Sequence, residues 1–79
     1  MKYLERLGAV IRDRRLAVGL SQTELGDLAG VHRTYISDIE RGRRNLTVSV
    51  LSRIGACLNM PTYELMRTAE RGEGKSTGA

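Results

Sequence analysis

The stretch 21–41, SQTELGDLAGVHRTYISDIER, constrains the fold of this chain more than any other segment. Ser21 and Glu24 match a capping box, in which each side chain hydrogen-bonds the backbone amide of the other residue, so a helix is expected to begin here. Three apolar residues then recur at helical spacing, namely Leu25, Leu28 and Ala29. Gly30 is expected to end the helix, because glycine adopts the left-handed conformation at little cost. The pattern predicts a short helix over 21–29.

A second short helix, expected over 33–41 and ended by Gly42, has two chemically different faces. Ile36 and Ile39 lie about one turn apart and are predicted to face inward. The opposite face is polar and consists of Arg33, Thr34, Ser37, Asp38 and Arg41. Two short helices joined by a tight glycine turn indicate a helix-turn-helix, the motif that places a recognition helix in the major groove of DNA. The structural alternative is a plain helical hairpin with a solvated polar face.

The composition favours a polyanion as the partner. The chain has 79 residues, enough for one domain, and carries 13 Lys and Arg against 9 Asp and Glu, a net charge of +4. Eleven of the basic residues are arginine, the side chain suited to bidentate contact with phosphate and guanine. No apolar run reaches the length of a membrane span, and no signal-peptide pattern is found. The single cysteine, Cys57, cannot form an internal disulfide, which fits a reducing cytoplasm.

The rest of the chain predicts three further helices and contains no strand pattern, so the fold class is all-α. The first helix is expected over 3–18, another from a cap at Asn45 or Thr47 to about Leu58, and the last from Pro61, which suits a first helical turn. The apolar positions of these helices are Leu4, Leu7, Ile11 and Val18; Val48, Leu51, Ile54 and Leu58; and Tyr63, Leu65, Met66 and Ala69.

Two further expectations concern packing and the domain boundary. Gly26 lies inside a helix, where glycine costs about 1 kcal/mol relative to alanine, so another backbone is expected to approach closely there. Arg6, Asp13 and Arg14 are expected on the outside of the first helix. Residues 71–79, RGEGKSTGA, lack an apolar anchor and are predicted to form a short disordered tail, which leaves 1–70 as the folded domain.

Over about residues 3–69 the chain resembles the Cro/cI-type (XRE) helix-turn-helix family. Within that family, the segment 33–48 is most similar to the controller proteins of restriction–modification systems. The resemblance implies a five-helix, lambda-repressor-like fold and a dimer that binds operators beside its own gene and the endonuclease gene. The residues that carry the match are Leu7, Ile11–Arg12, Arg15, Gly19–Leu20–Ser21–Gln22, Glu24–Leu25, Leu28–Ala29, Gly30–Val31, Ile36–Ser37, Ile39–Glu40–Arg41–Gly42, Leu51, Ile54 and Leu58.

The resemblance also implies an ion pair between Arg15 and Glu40 across the first and third helices. The sequence departs from the family at three positions. Gly26 and Gly55 stand where alanine is usual, and His32 stands where a Ser or Thr N-cap is common. The two glycines are expected to loosen the helices that contain them. His32 is expected to affect the geometry at the start of the recognition helix.

Five side chains of the recognition helix are candidates for base contact. Arg33 can donate two hydrogen bonds to guanine, and its position is unfavourable for the helix dipole, so a role other than helix stability is indicated. The alternative is a solvated arginine or a contact with phosphate only. Thr34 can contact a thymine methyl group, and Ser37 a base edge or a phosphate. Tyr35 is either a half-buried ring or, as the resemblance implies, a DNA contact. Asp38 either accepts from cytosine or orients Thr34 or Arg41, and the second reading is preferred.

Phosphate contacts are expected on both sides of that helix. The resemblance implies that Gln22 binds a phosphate and braces the recognition helix, and a helix N-terminus suits an anion in any case. His32 is expected to cap the helix or contact a phosphate. Arg43, Arg44 and Asn45 follow the helix and are predicted to hold the DNA backbone, which gives affinity and salt dependence rather than sequence choice. A solvated charge run is the alternative.

A homodimer is predicted through the fourth and fifth helices, because their apolar residues exceed what a small monomer leaves in water. A dimer places two recognition helices about 34 Å apart, so the operator should be a palindrome. RNA polymerase is a further candidate partner. The predicted interface residues are Val50, Ile54, Cys57, Tyr63, Leu65 and Met66.

Together these features predict a sequence-specific transcriptional regulator that is located in the bacterial cytoplasm and associates with the nucleoid. No membrane partner, cofactor or small-molecule substrate is expected. The alternative is the DNA-binding antitoxin of a toxin–antitoxin pair, although a nine-residue tail is short for holding a toxin. An enzyme is not expected, because no nucleophile–base pair, paired carboxylates or phosphate loop is found. A metal site is not expected either, since His32 is the one histidine and lacks neighbours at metal-ligand spacing.

Overall fold

The computed structural model describes the backbone of residues 2–77 and the side chains of residues 3–71. This part of the chain forms five α-helices and no strand, which confirms the predicted all-α class. Residues 22–40 form the predicted helix-turn-helix from the second and third helices. The helices are α1 Lys2–Ala17, α2 Gln22–Ala29, α3 Arg33–Glu40, α4 Val48–Cys57 and α5 Thr62–Thr77.

One apolar core joins all five helices. The helix α1 packs against α3 and α5, while α4 packs against α2 and α5. Each helix contributes side chains that are removed from water, and burial of such surface is the main favourable term in folding. The buried apolar residues are Leu7, Ile11, Leu25, Ala29, Ile36, Ile39, Val50, Leu51, Ile54, Leu58, Leu65 and Ala69.

The caps predicted around α2 and α4 are present. The Ser21 hydroxyl accepts from the Glu24 N–H at 3.0 Å, and the Ser21 N–H donates to Glu24 Oε1 at 2.8 Å. Of the two cap candidates for α4, the structure selects Thr47, whose hydroxyl accepts from the Val50 N–H at 3.1 Å. Gly30 ends α2 with a φ of 78°, in the left-handed region.

The close backbone contact predicted at Gly26 is also present. A Cβ atom on Gly26 would lie 2.6 Å from the carbonyl oxygen of Val31, in the turn that leads into α3. A second close contact, at Gly8 in α1, was not predicted from the sequence. A Cβ there would meet the carbonyl oxygens of Ile39 and Glu40, so α1 crosses the last turn of α3 with the two backbones touching.

Several helix faces differ from the sequence prediction. Leu28 and Val48, assigned to apolar stripes, are 63% and 73% exposed, because each lies at the edge of its stripe and no other helix covers it. Val18 is exposed as well. Conversely, Arg6 and Arg14, predicted outside, are half-buried.

These two arginines bind the backbone of other helices. Arg14 Nε donates to the carbonyl oxygen of Leu58 at 2.8 Å, and Leu58 is the C-cap of α4. Arg6 Nε donates to the carbonyl oxygen of Ala69 in α5 at 2.9 Å. The last carbonyls of a helix lack partners within the helix, so Arg14 fastens the end of α4 to α1.

The helix α5 runs to Thr77, whereas the predicted tail begins at residue 71. Side chains 72–77 and all of residues 78–79 lie outside the described residues, and the division into 1–70 and 71–79 stays a prediction. Within the described part of the chain, no helix combines the length and apolar character needed to cross a membrane.

Candidate nucleic-acid interface

A buried ion pair fixes α3 against α1 and α2. The Arg15 guanidinium donates to both carboxylate oxygens of Glu40, from Nε to Oε2 at 2.7 Å and from NH2 to Oε1 at 3.1 Å. Gln22 Nε2 donates to the same Oε1 at 3.1 Å, and Arg15 also donates to the Leu20 carbonyl oxygen at 2.8 Å. The hydrogen bond to Glu40 raises the pKa of Arg15 above its ordinary value. The implied pair is therefore present, and its fork geometry sets the orientation of the last turn of α3.

Gln22 has the bracing part of the role that the resemblance implies. Its side-chain amide reaches the C-terminal end of α3 from the first turn of α2, so the two helices of the motif are joined by a side-chain hydrogen bond. The side chain stays partly exposed. A phosphate contact by Gln22 remains a prediction.

His32 is the N-cap of α3. Its Nδ1 atom accepts from the Thr34 N–H at 3.0 Å, so in the neutral ring the proton lies on Nε2. The imidazole thus takes the place of the Ser or Thr that is common in the family, and it leaves one exposed donor. Among the described residues, no three His, Cys, Asp or Glu side chains are grouped as metal ligands.

The outer face of α3 is polar and accessible. Arg33 and Thr34 are exposed in its first turn, Ser37 and Asp38 are half-buried one turn later, and Arg41 is exposed at the C-cap. The structure therefore brings together the predicted polar side chains along one helix. Their contacts with bases remain predictions.

Tyr35 lies between the core and this outer face. Its half-buried ring packs against the core, and the Arg44 guanidinium lies over the ring, 4.5 Å from its centre. Arg44 NH2 is also 3.5 Å from Asp38 Oδ2. The structure therefore shows the half-buried ring, and the DNA contact of Tyr35 remains a prediction.

Asp38 has a different partner from the one expected. The preferred prediction is a contact with Thr34 or Arg41, but the carboxylate pairs with Arg44. The reason is the turn at Gly42, whose φ of 73° reverses the chain. Hydrogen bonds from the Gly42 N–H to the Ile39 carbonyl and from the Arg43 N–H to the Asp38 carbonyl close the turn. The turn therefore places Arg44 beside α3, within reach of Asp38.

The loop after α3 adds positive charge to the same surface. Arg43, Arg44 and Asn45 are exposed, and the turn at Gly42 brings this loop back toward α3. Arginines on a surface of this kind attract the phosphate backbone of a nucleic acid. The exposure fits the predicted phosphate contacts.

Part of the predicted dimer interface is wrong. Ile54 and Leu65 are fully buried inside the monomer, and Val50 is buried as well, because the stripes they occupy cover the core of this chain. Tyr63 and Met66 are exposed, and Cys57 is half-buried. Only these last three of the predicted interface residues leave surface for a partner.

Comparison with known proteins agrees with this geometry. Residues 11–65 match the protein-family profile described as Helix-turn-helix. The chain is 42% identical over 64 residues to the ImmF control region 10 kDa protein of Bacillus phage phi105, covering 81% of this chain and 71% of that protein. It is 38% identical over 66 residues to the control protein C.SmaI of Serratia marcescens, covering 84% and 79% of the two chains.

The fold is similar to that of a solved controller protein. The crystal structure of the restriction–modification controller protein C.AhdI from Aeromonas hydrophila matches with a TM-score of 0.76 and 35% sequence identity. The match covers 78% of this chain and 94% of that chain. Both the sequence and the fold of this chain are therefore similar to those of control proteins of this kind.

Proposed function

The chain belongs to the XRE-type helix-turn-helix family of DNA-binding transcription regulators, and we propose that it binds a palindromic operator as a homodimer. We further propose that it is the controller protein of a restriction–modification system. The similarity to C.SmaI and to C.AhdI supports this subtype. On this proposal the protein works on the bacterial nucleoid, with RNA polymerase at the neighbouring promoter as a further candidate partner.

The observation that carries the proposal is the placement of Arg33. It opens a helix whose far end is fixed by the buried pair of Arg15 and Glu40 and whose start is capped by His32. Arg33 itself is exposed, and an arginine at this place in a recognition helix can reach O6 and N7 of guanine. A helix that is held at both ends and presents an exposed guanidinium in its first turn is suited to hydrogen-bonding the edge of a base.

The basic loop supports binding to duplex DNA rather than to a small anion. Arg43, Arg44 and Asn45 are exposed, and Arg44 lies alongside α3, so the loop adds two arginines to the polar surface of that helix. Phosphate contacts of this kind position a protein on the duplex, while base contacts specify the site.

A dimer supports the choice of a palindromic site. Tyr63 and Met66 leave apolar surface exposed on α5, and a two-fold interface through the same patch of both copies would cover it. Such a dimer presents two copies of α3, which match two half-sites about one helical turn apart.

Selection of bound duplexes from a random library tests the proposal. The expected result is enrichment of a short inverted repeat, bound with a stoichiometry of two chains per duplex. An enriched site without two-fold symmetry would remove the dimer from the proposal. Weak binding without any enriched sequence, abolished by moderate salt, would show that the protein is not a sequence-specific regulator.

A further inference from the structure

We propose that Asp38 is a positioning residue for DNA recognition. Together with the ring of Tyr35 it holds the guanidinium of Arg44 in one orientation beside α3. It acts on operator choice through Arg44 and does not itself touch a base. This inference rests on the operator binding proposed above and assigns a role to one acidic residue of that surface.

Two contacts from different directions hold the guanidinium of Arg44. The Tyr35 ring lies under it, with 4.5 Å between the ring centre and Cζ, well within the range of a cation–π contact. The Asp38 carboxylate approaches it from α3, with 3.5 Å between Oδ2 and NH2. Because the Tyr35 ring packs against the core, the surface on which the guanidinium rests does not move with the loop.

The backbone of Asp38 also holds the loop. Its carbonyl oxygen accepts from the Arg43 N–H at 2.9 Å, directly before Arg44 in the chain. Asp38 therefore binds the segment 43–44 twice, once through its main chain and once through its side chain. The backbone contact sets where the loop leaves α3, and the side-chain contact sets where the guanidinium of Arg44 lies.

Neither folding stability nor general DNA affinity explains a carboxylate at this place. The side chains of Arg44 and Asp38 are 45% and 31% exposed, and ion pairs in such surroundings contribute little to stability. A negative charge on a surface that meets phosphates lowers affinity for any duplex. What the carboxylate does provide is order, since an arginine held in one rotamer loses less conformational freedom on binding.

An ordered Arg44 favours some duplexes over others. A mobile guanidinium can move to the nearest phosphate of any sequence, whereas a fixed one reaches a single point on the DNA. Duplexes that place a suitable group at that point, by their bases or by the path of their backbone, are then preferred.

The substitution Asp38→Asn tests the inference by the sign of its effects. It keeps the size of the side chain and removes its charge. We expect affinity for the selected operator to fall about three- to tenfold, as for one side chain that has lost its order. We expect affinity for random duplex DNA to rise, because one repulsive charge is gone. The readout is the ratio of the two affinities for the full chain at fixed salt.

A double-mutant cycle shows whether the effect passes through Arg44. In the Arg44→Ala background, Asp38→Asn should no longer lower operator affinity, because the residue it positions is absent, and the lost repulsion should raise affinity equally for operator and random DNA. An undiminished loss in that background would show that Asp38 contacts a base itself and would overturn the inference. In the protein that keeps Arg44, a rise of equal size on operator and random DNA would overturn it too, by reducing Asp38 to a repulsive charge.

The same change at Asp13, which is exposed on α1, is the matched control, and it should leave the operator-to-random ratio unchanged. The thermal midpoint of Asp38→Asn should equal that of the wild type, which separates a loss of positioning from a loss of fold. If the wild type itself does not distinguish the operator from random DNA, the proposed function fails and this inference fails with it. If the wild type distinguishes them and Asp38→Asn keeps the ratio, this inference alone fails.

Discussion

Arg33 is the residue on which sequence choice should depend most. It is exposed in the first turn of α3. We expect Arg33→Ala to weaken operator binding by about 1–3 kcal/mol, the discrimination provided by one bidentate contact with guanine, and to weaken binding of random DNA much less. Fluorescence anisotropy on both duplexes measures the two losses. Arg12→Ala, which removes an exposed arginine from α1, controls for net charge. Equal losses on both duplexes would reduce Arg33 to a phosphate contact.

His32 combines two roles that substitution can separate. Its Nδ1 atom caps α3, and its Nε2 donor is expected to contact a phosphate. His32→Ala should cost about 1 kcal/mol of folding free energy through the lost cap, measured by denaturant unfolding. His32→Ser should keep that stability, because serine is a good cap, yet bind operator and random DNA equally less well. Unchanged DNA affinity of the serine variant would leave His32 with the cap alone.

At the scale of the elements, the contact between α1 and α3 decides how the recognition helix is presented. The two helices touch at Gly8, where a Cβ would meet the carbonyl oxygens of Ile39 and Glu40. The pair of Arg15 and Glu40 lies at the same crossing. The close approach and the ion pair thus act together on the last turn of α3.

Gly8→Ala should therefore destabilise the fold, although alanine is the better helix former. The added methyl group meets backbone atoms, so α1 must move away from α3. The reverse change one residue later, Ala9→Gly on the exposed face of α1, should cost about 1 kcal/mol from helix propensity alone. Urea unfolding of both variants should show the larger loss for Gly8→Ala. A more stable Gly8→Ala would contradict the close crossing.

At the scale of the whole molecule, the exposed part of α5 should control assembly. Tyr63 is 68% exposed, so Tyr63→Glu should leave the folded monomer intact while placing a charge in the proposed two-fold interface. We expect sedimentation equilibrium to show a monomer and operator affinity to fall sharply, because two half-sites are no longer held together. Leu16→Glu, at an exposed leucine of α1, is the control and should stay dimeric. A dimeric Tyr63→Glu would place the interface elsewhere.

The sequence by itself determined the local architecture of this protein. The capping box of Ser21 and Glu24, the helix ends at Gly30 and Gly42 and the inward positions of Ile36 and Ile39 are all as predicted. Each of these features depends on residues a few positions apart, so their physical cause is visible in the order of side chains alone.

The tertiary structure decided which side chains are covered and which partners they meet. Ile54 and Leu65 became core residues while Val48 stayed in water, because the width of a covered helix stripe depends on the neighbouring helices and not on the helix itself. Asp38 met Arg44 because the turn at Gly42 returns the loop to α3. The contacts of Arg14 with Leu58 and of Arg6 with Ala69 join residues far apart in the chain. The pattern of apolar and charged residues predicts what kind of contact a side chain makes, but it does not identify the partner.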